Sequence, residues 1–497
     1  MEIHPVDGTL DIDANTIIEG NEAGGKGGGL YLYVTLMHSG AGNIYNNNQG
    51  QPYSCNININ GAYIRNNSAT NGGGIAMGKE SGCPYHTDFN INYGNVYGNT
   101  ASENGGGFYA WGGVPVSMGG SSSGTLSMRG NSAQNGGGIY VADADILMKS
   151  GEVGQSDSHN IANDGDGGGI YVNAGTFTMQ DGSVSYNEAT RSGSSGGQGG
   201  GFFVTGGAVT VSGGTISNNT AAYRGGGFYV NVSSGNSTII NSDNATTTIS
   251  GNTATSNNGG GVYVDNGNVI ISAVTVSGNH AENGNGGGVC VNSAATDTVT
   301  INNGTKINGA NVAKNGGGVY VEQGVVDITG STTAIDGNQA NYQGGGLFVG
   351  NGTITLNGAS VSNNEMVYVS NSTFYGAGIY AGGGTLNIQN NASISGNKKA
   401  SSSTSRTLYG GGIYAAGNIN FTGGTIANNE ANYGGGLYIS GRSAVLTFSD
   451  GTFSGNYAAS NGGGIFISNG TQLILKGSAV LTGNHAGNSG GGLPCFA

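Results

Sequence analysis

Residues 216–230 read ISNNTAAYRGGGFYV, and variants of this stretch recur along the whole chain. Three features repeat together: an Asn followed two residues later by Ala, a Gly-Gly-Gly triplet, and a short apolar and aromatic run after the triplet. The triplet, in one case Gly376-Ala377-Gly378, occurs sixteen times between Gly27 and Gly490, a mean spacing of about 31 residues (463 residues over fifteen intervals). Such a period indicates a solenoid in which each repeat stacks on the next.

The composition excludes several other classes of protein. Of 497 residues, 104 are Gly and only 5 are Pro, and the glycines follow no three-residue period. This excludes collagen and argues against a disordered chain rich in Pro and Gly. Apolar residues make up 36% of the chain and charged residues 8%, and the apolar residues occur in short, evenly spread runs, which favours a thin structure over one large core.

Each repeat contains short runs that alternate with period two, such as Thr353-Ile354-Thr355-Leu356, and no segment shows a helical stripe. We place one strand after the triplet, one in the alternating run and one ending at the Asn. The sequence therefore predicts an all-β, single-stranded parallel β-helix of about sixteen rungs with three short strands per rung. We expect one continuous solenoid over residues 1–497, with less regular rungs in residues 1–104 and regular rungs in residues 105–497.

The Asn of each repeat forms a column in such a stack, because equivalent residues lie one rung apart. Amide side chains tolerate copies of themselves since each can donate to the next, so we predict a structural asparagine ladder. An apolar residue stands three positions before most of these asparagines, but Asp157 and Asn308 interrupt that column. The predicted ladder residues are Asn67, Asn99, Asn131, Asn187, Asn219, Asn252, Asn279, Asn311, Asn338, Asn364, Asn397, Asn429, Asn456 and Asn484.

The strand after the triplet has apolar first and third residues, so its second residue should point outward. That residue is aromatic in most repeats, which forms an aromatic column interrupted at Ala76, Cys290 and Pro494. The aromatic column could bind glycans or a partner surface, or it could only stabilise the sheet by stacking between rungs. Besides Tyr31, its members are Tyr109, Tyr140, Tyr171, Phe203, Tyr229, Tyr263, Tyr320, Phe348, Tyr380, Tyr414, Tyr438 and Phe466.

The turn between the Asn and the triplet is lengthened in three repeats, at 188–198, 365–375 and 398–409. All three turns should project from the same corner, where they either carry binding specificity or reflect neutral insertion.

Cys55 and Cys83 fall on neighbouring rungs, because aligning the Asn residues places Cys55 opposite Thr87, four residues from Cys83. The sequence allows two interpretations, a disulfide between these cysteines or two unrelated thiols.

Two motifs carry a resemblance to a known family. Ile216-Ser217-Asn218-Asn219 with Gly225-Gly226-Gly227-Phe228, and more literally Phe453-Ser454-Gly455-Asn456 with Gly462-Gly463-Gly464-Ile465, resemble the paired F-x-x-N and GGA-I repeats of the chlamydial polymorphic outer-membrane proteins and related surface proteins. In this chain Gly usually replaces the Ala of the family's GGA-I motif, and Ile or Val usually replaces the Phe of its F-x-x-N motif. The resemblance implies a right-handed β-helix of adhesin-like, autotransporter-passenger type. No terminal cap or membrane barrel is recognised, so we expect a segment of a longer protein.

The remaining observations bear on function. The net charge of −13 argues against nucleic acid as a partner, and no apolar run is long enough to span a membrane. We expect an extracellular or cell-surface protein, a monomeric rod that binds glycans or host or partner-cell proteins, with no cofactor and no metal. Asp164-Gly165-Asp166 resembles a calcium turn but has no repeating register.

The competing class is a polysaccharide-degrading β-helix enzyme, pectate lyase-like or a glycoside hydrolase, which needs paired carboxylates or calcium with a basic residue. The sequence shows no such constellation, so we expect no catalytic residue.

Overall fold

The computed structural model is an all-β parallel solenoid with no helix among the residues it describes. These are residues 8–34, 37–39, 42–44, 54–81, 83, 86–191, 196–233, 237–242, 246–367, 373–402, 407–441, 445–468 and 472–494. The chain divides into two compact units, Met1–Thr248 and Ile249–Ala497, and each unit contains the same three kinds of sheet. This confirms the predicted fold class.

Every regular turn passes through three sheets in one order. Sheet 1 contains the strands that precede the ladder Asn, sheet 2 those that follow it, and sheet 3 those that follow the Gly triplet. The strands are short because Gly and Asn corners interrupt each turn three times.

In the first unit, sheet 1 consists of Gly8–Ile12, Ile17–Glu19, Ser54–Arg65, His86–Tyr97, Val114–Met118, Leu126–Arg129, Ala144–Met148, Glu152–Val153, Gly175–Met179, Ser183–Ser185, Ala208–Val211, Gly214–Ser217 and Ser237–Ile240, and the strand Thr247–Ser250 includes the unit boundary. Sheet 2 consists of Ser68–Asn71, Thr100–Asn104, Ser132–Ala133, Ile161–Ala162, Glu188–Ala189 and Thr220–Ala221. Sheet 3 consists of Leu30–Val34, Ile75–Lys79, Phe108–Trp111, Ile139–Val141, Ile170–Val172, Phe202–Val204 and Phe228–Asn231. Met37–Ser39 and Gly42–Ile44 form a separate antiparallel pair.

In the second unit, sheet 1 consists of Asn268–Ser272, Thr275–Ser277, Thr298–Asn302, Lys306–Asn308, Val325–Thr329, Ala334–Asp336, Thr353–Asn357, Ser360–Ser362, Thr385–Gln389, Ala392–Ser395, Asn418–Phe421, Gly424–Ala427, Val445–Ser454 and Gln472–Thr482. Sheet 2 consists of Thr253–Ala254, His280–Ala281, Val312–Asn315, Gln339–Gln343, Glu365–Met366, Thr373–Tyr375, Lys398–Lys399, Thr407–Tyr409, Glu430–Tyr433, Tyr457–Asn461 and His485–Ala486. Sheet 3 consists of Val262–Asn266, Val289–Asn292, Val319–Gln323, Leu347–Val349, Ile379–Ala381, Ile413–Ala415, Leu437–Ile439 and Ile465–Ile467.

Successive turns pair in parallel and in register, so equivalent residues of the repeat form physical columns. In sheet 3, Ile139–Val141 pairs residue by residue with Ile170–Val172. The first and third residues of both strands are buried and the middle tyrosines are half-buried, as the alternation predicts. The core inside each unit is therefore a stack of apolar layers, which are mostly aliphatic and include buried Phe rings such as Phe177 and Phe421.

The Gly triplet forms the corner between sheets 2 and 3. Its first residue has a positive φ, 62° at Gly136, which a side chain would strain. Its second residue leaves no room for one, because a Cβ on Gly137 would lie 2.5 Å from the backbone carbon of Ile161. The Gly137 N–H donates to the carbonyl of Gly167 in the next turn at 3.1 Å, so glycines hydrogen-bond to glycines along the corner.

The number of turns differs from the prediction. The solenoid has about 13 turns, not sixteen rungs. The turn at the first triplet is irregular, because sheet 2 is represented there, among the residues described, only by the isolated bridges Glu22↔Ser68 and Lys26↔Asn71. After Gly490 no strand follows among the residues described. The handedness, and the continuity of one solenoid over 1–497, stay predictions.

Candidate binding surface

The asparagine ladder is present as a chain of buried side-chain hydrogen bonds. Asn99 is typical: its Nδ2 donates to the carbonyl of Ile64 at 2.9 Å and to Oδ1 of Asn131 at 3.0 Å. Its own Oδ1 accepts from the backbone N–H and the Nδ2 of Asn67, both at 3.0 Å. The amide of Asn99 thus joins its turn to the turn before it and to the turn after it, which leaves it fully used in structure.

The ladder also contains Asn21 and Asn160, which the predicted list of ladder residues omits. Asn160 receives the Nδ2 donation of Asn131 and donates to Asn187, at 3.0 and 2.9 Å. Both missed residues follow the Asn-x-Ala pattern that could have identified them. The apolar column three positions before the ladder Asn is interrupted at Asp157 because residues 155–158 are inserted in that turn. Val153, which lies before the insertion, occupies the buried position of the column instead.

The rings of the outward aromatic column contact one another from Tyr109 to Tyr229 in the first unit and from Tyr320 to Phe466 in the second, where Cys290 separates Tyr263 from the rest. In the first unit Tyr140 and Tyr171 have ring centroids 4.7 Å apart at an interplanar angle of 26°. In the second unit Tyr380 and Tyr414 are 5.3 Å apart at 3°. Rings at this separation and angle cover one another's faces and present their edges to solvent. A stacked ring therefore offers a ligand mainly its edge and, in Tyr, its hydroxyl group, whereas full stacking on a sugar needs an open ring face.

Burial further restricts the column. The side chains of Phe203, Tyr229, Tyr320 and Phe348 are all less than 10% exposed, and Tyr263 is completely buried. The half-buried members are Tyr31, Tyr109, Tyr140, Tyr171, Tyr380, Tyr414, Tyr438 and Phe466. Burial also raises the pKa of several phenols, among them Tyr140, Tyr320 and Tyr438. Only the half-buried rings remain candidates for contact with a ligand, and their binding role stays a prediction.

The single Trp fills the gap that Ala76 leaves in the column. Trp111 leans over Gly78, where a Cβ would lie 1.9 Å from the indole Cε2. Its ring lies 6.0 Å from Tyr31 and 5.4 Å from Tyr109, and the Lys26 ammonium lies 5.1 Å from the indole centroid. The small residues at this turn therefore accommodate a ring from the next turn, and the stack is not broken.

A second aromatic row, which the sequence analysis missed, lies beside the column in the second unit. Tyr375, Tyr409 and Tyr433 each directly precede a triplet, a position that holds Tyr only in these three consecutive repeats. Their rings stack at centroid distances of 5.7 and 5.3 Å. We call these three residues, together with Tyr380, Tyr414 and Tyr438, the double tyrosine row.

The two halves of the double tyrosine row meet edge to face across the Gly corner. Tyr375 lies 4.9 Å from Tyr414 at 66°, and Tyr409 lies 4.9 Å from Tyr438 at 67°. All six phenols are half-buried, so each shows part of its ring and leaves the surface mixed in character, apolar with hydroxyl groups. Six partly accessible aromatic rings are thus clustered in the second unit.

Two of the three lengthened turns return to the solenoid at this cluster. Thr373–Tyr375 pairs in parallel with Thr407–Tyr409, which places Phe374 beside Leu408. Both side chains are buried in a hydrophobic cluster with Met366. The residues 192–195, 368–372 and 403–406 of the lengthened turns lie outside the described part of the chain.

The remaining predicted sites have mixed outcomes. The alignment of Cys55 with Thr87 is confirmed, and Cys83 is buried. The Cys55 side chain lies outside the described residues, so the disulfide stays a prediction. Asp166 accepts a hydrogen bond from the backbone N–H of Gln198 at 2.9 Å, and burial raises the pKa of its carboxyl. The described residues contain no group of three or more His, Cys, Asp or Glu side chains that could hold a metal ion.

No helix that could cross a membrane occurs in the part of the chain that the structure describes. Among known proteins, residues 450–468 match the family model of the Chlamydia polymorphic membrane protein repeat. Neither the curated proteins nor the solved structures include a significant match to the chain. The matched repeat and the β-solenoid together fit a repeat family of the polymorphic outer-membrane protein type and suggest a surface protein of the autotransporter-passenger type.

Proposed function

We propose that the chain is a non-catalytic cell-surface or secreted β-helix, adhesin-like or stalk-like, that displays a binding surface for a glycan or a host or partner-cell protein. The double tyrosine row supports this most directly. Tyrosine supplies a large rigid contact area with a polar hydroxyl tip, and it loses little conformational entropy on binding.

The position of the double tyrosine row supports the proposal as well. Residues on turns held by a rigid scaffold are commonly used for recognition. The returning segments 373–375 and 407–409 are anchored by Phe374 and Leu408, so the lengthened turns begin and end on fixed backbone. A ligand bound at the double tyrosine row would also lie beside these turns.

A combined glycan-array and host-cell binding screen tests the proposal. The informative variant is Tyr375→Ala, Tyr409→Ala and Tyr433→Ala together, which removes the second row but leaves the column stack. We expect binding by the full chain and at least a tenfold loss in the triple variant, since central aromatic residues typically dominate binding energy.

The matched control changes the same three residues to Phe, which keeps the rings and removes the hydroxyls. A second control changes Tyr109, Tyr140 and Tyr171 to Phe in the first unit and should bind normally. Binding that survives the triple Ala variant with unchanged affinity contradicts the assignment of this surface. Cleavage of pectins by the full chain would contradict the non-catalytic part of the proposal.

A further inference from the structure

Tyr186 occupies a backbone position that is unfavourable for its side chain. The residue before each ladder Asn commonly has a positive φ, and in the first unit it is Gly or Asn at 20, 66, 98, 130 and 218. Tyr186 has a φ of 57° at the same position. A bulky residue in the left-handed region is strained, and such strain tends to persist at functional sites. The side chain is 37% exposed, so core packing does not explain it.

The preceding turn departs from the repeat at the same place. Residues 155–158 are inserted there and form a small antiparallel bridge between Gln155 and Ser158. His159 follows, and its ring is stacked 6.4 Å from that of Tyr186 at 22°. Two irregularities of neighbouring turns thus converge on one side of the solenoid.

Between them lies an open pocket of about 520 Å³. One outward column of sheet 1 runs into this pocket. In the preceding turns its positions hold the large side chains of Arg65, Tyr97 and Arg129, which pair in register. From there the column changes to Ser185 and Ser217, whose hydroxyl oxygens lie 2.9 Å apart. The change from large to small side chains opens the space above the sheet.

The polar groups of the pocket are partly fixed in place by one another. Gln155 Nε2 donates to Glu152 Oε2 at 2.6 Å, and Arg129 Nη1 donates to Gln155 Oε1 at 3.1 Å. Asp157, Ser183 and Thr215 also line the pocket. Carboxylates accept hydrogen bonds, hydroxyls both donate and accept, and Tyr186 adds an aromatic ring.

We propose that this pocket binds a single saccharide ring. A hexose presents several hydroxyls to the carboxylate and hydroxyl groups, and one apolar C–H face to the ring of Tyr186. Binding then offsets the backbone strain at residue 186. The pocket lies in the first unit and shares no residue with the double tyrosine row, so this site and the proposed surface can fail independently.

Ligand-observed saturation-transfer NMR on the full chain tests the proposal, with glucose, galactose, mannose and N-acetylglucosamine as probes. The key variant, Tyr186→Asn, restores the residue type usual at this φ. We expect at least one sugar to give a transfer signal that falls at least tenfold in Tyr186→Asn and severalfold in Glu152→Gln. The melting temperature of Tyr186→Asn should rise, because the strain is removed. The exposed Tyr457→Asn in the second unit serves as the control and should leave the signal unchanged.

Several results would overturn the proposal. One is the absence of signal for all four sugars, and another is an equal signal in the full chain and Tyr186→Asn. A lower melting temperature for Tyr186→Asn would show that Tyr186 is kept for packing. Methylammonium is tested in parallel, because the two carboxylates could instead attract a cation; binding of methylammonium but of no sugar would reject the saccharide.

Discussion

Replacing one buried ladder residue, Asn397→Ala, should destabilise the second unit strongly. Asn397 is completely buried, and its side chain takes part in four hydrogen bonds. Its Nδ2 donates to the carbonyl of Val361 at 3.0 Å and to Oδ1 of Asn429 at 2.9 Å. Its Oδ1 accepts from the backbone N–H and Nδ2 of Asn364 at 3.0 and 2.9 Å. The substitution removes all four bonds from a buried corner, although Oδ1 of Asn429 still accepts from the backbone N–H of residue 397 and Nδ2 of Asn364 still donates to the carbonyl of Ile335, both at 3.0 Å. At about 1 kcal/mol for each lost bond, we expect a loss of about 4 kcal/mol in the free energy of unfolding.

The matched control is Asn387→Ala, on the outer side of the same turn. Asn387 is half-buried, accepts one bond from Asn420 at 2.9 Å and donates a long one to Thr355 at 3.4 Å. Near solvent, water can replace these partners, so the control should lose less than about 1 kcal/mol.

Urea unfolding followed by circular dichroism measures both variants, and hydrogen exchange reports on the site itself. The backbone N–H of Asn364, which donates to the Asn397 side chain, should lose protection in Asn397→Ala and keep it in Asn387→Ala. If both variants unfold within about 1 kcal/mol of each other and this amide stays protected, the ladder does not hold the turns together as described.

Three further predictions concern the corner, the indole and the phenols. Gly411→Ala should cost about 3 kcal/mol in urea unfolding because its Cβ would lie 2.5 Å from a backbone carbonyl oxygen, whereas Gly337→Ala, with a φ of 64° and open space, should cost about 1 kcal/mol; equal losses would contradict the close packing of the corner. Gly78→Ala should displace Trp111 and shift the fluorescence of this single Trp to the red, and an unchanged spectrum would show that the indole does not lie over residue 78. Burial raises the pKa of Tyr438 above its ordinary value of 10.0, so the folded state favours the neutral phenol, and this contribution to stability is complete below pH 10 and is lost as the pH rises further. Tyrosinate absorbance should therefore appear together with loss of β-structure. Ionisation near pH 10 in an intact fold would contradict the burial.

The sequence sufficed for the architecture because each column repeats many times. A triplet such as Gly136–Gly138 specifies a corner by its φ and its lack of space, and the ladder follows from stacking one Asn above another. Single departures were harder to interpret, because an insertion shifts the register of one turn. The insertion of residues 155–158 moved Val153 away from its expected spacing and put Asp157 three positions before Asn160.

The candidate surface depended on contacts that a single column does not reveal. Alternation places Tyr263 on the outside, but the structure covers it completely, and nothing in its own strand indicates this. Tyr375 and Tyr414 are 39 positions apart in the chain and meet because a Gly corner brings adjacent turns together. The signal in the sequence was the run of three repeats with Tyr before the triplet, which differs from the Asn, Gln or charged residue found in most other turns.

A crystal structure of the chain tests the central claim most directly, that the repeats stack as parallel turns joined by a buried asparagine ladder. We predict parallel strands about 4.8 Å apart in three sheets. The Nδ2 of one ladder Asn should lie close to Oδ1 of the next, as Asn67 and Asn99 do at 3.0 Å. Antiparallel pairing between repeats, or ladder asparagines that face solvent, would contradict the account.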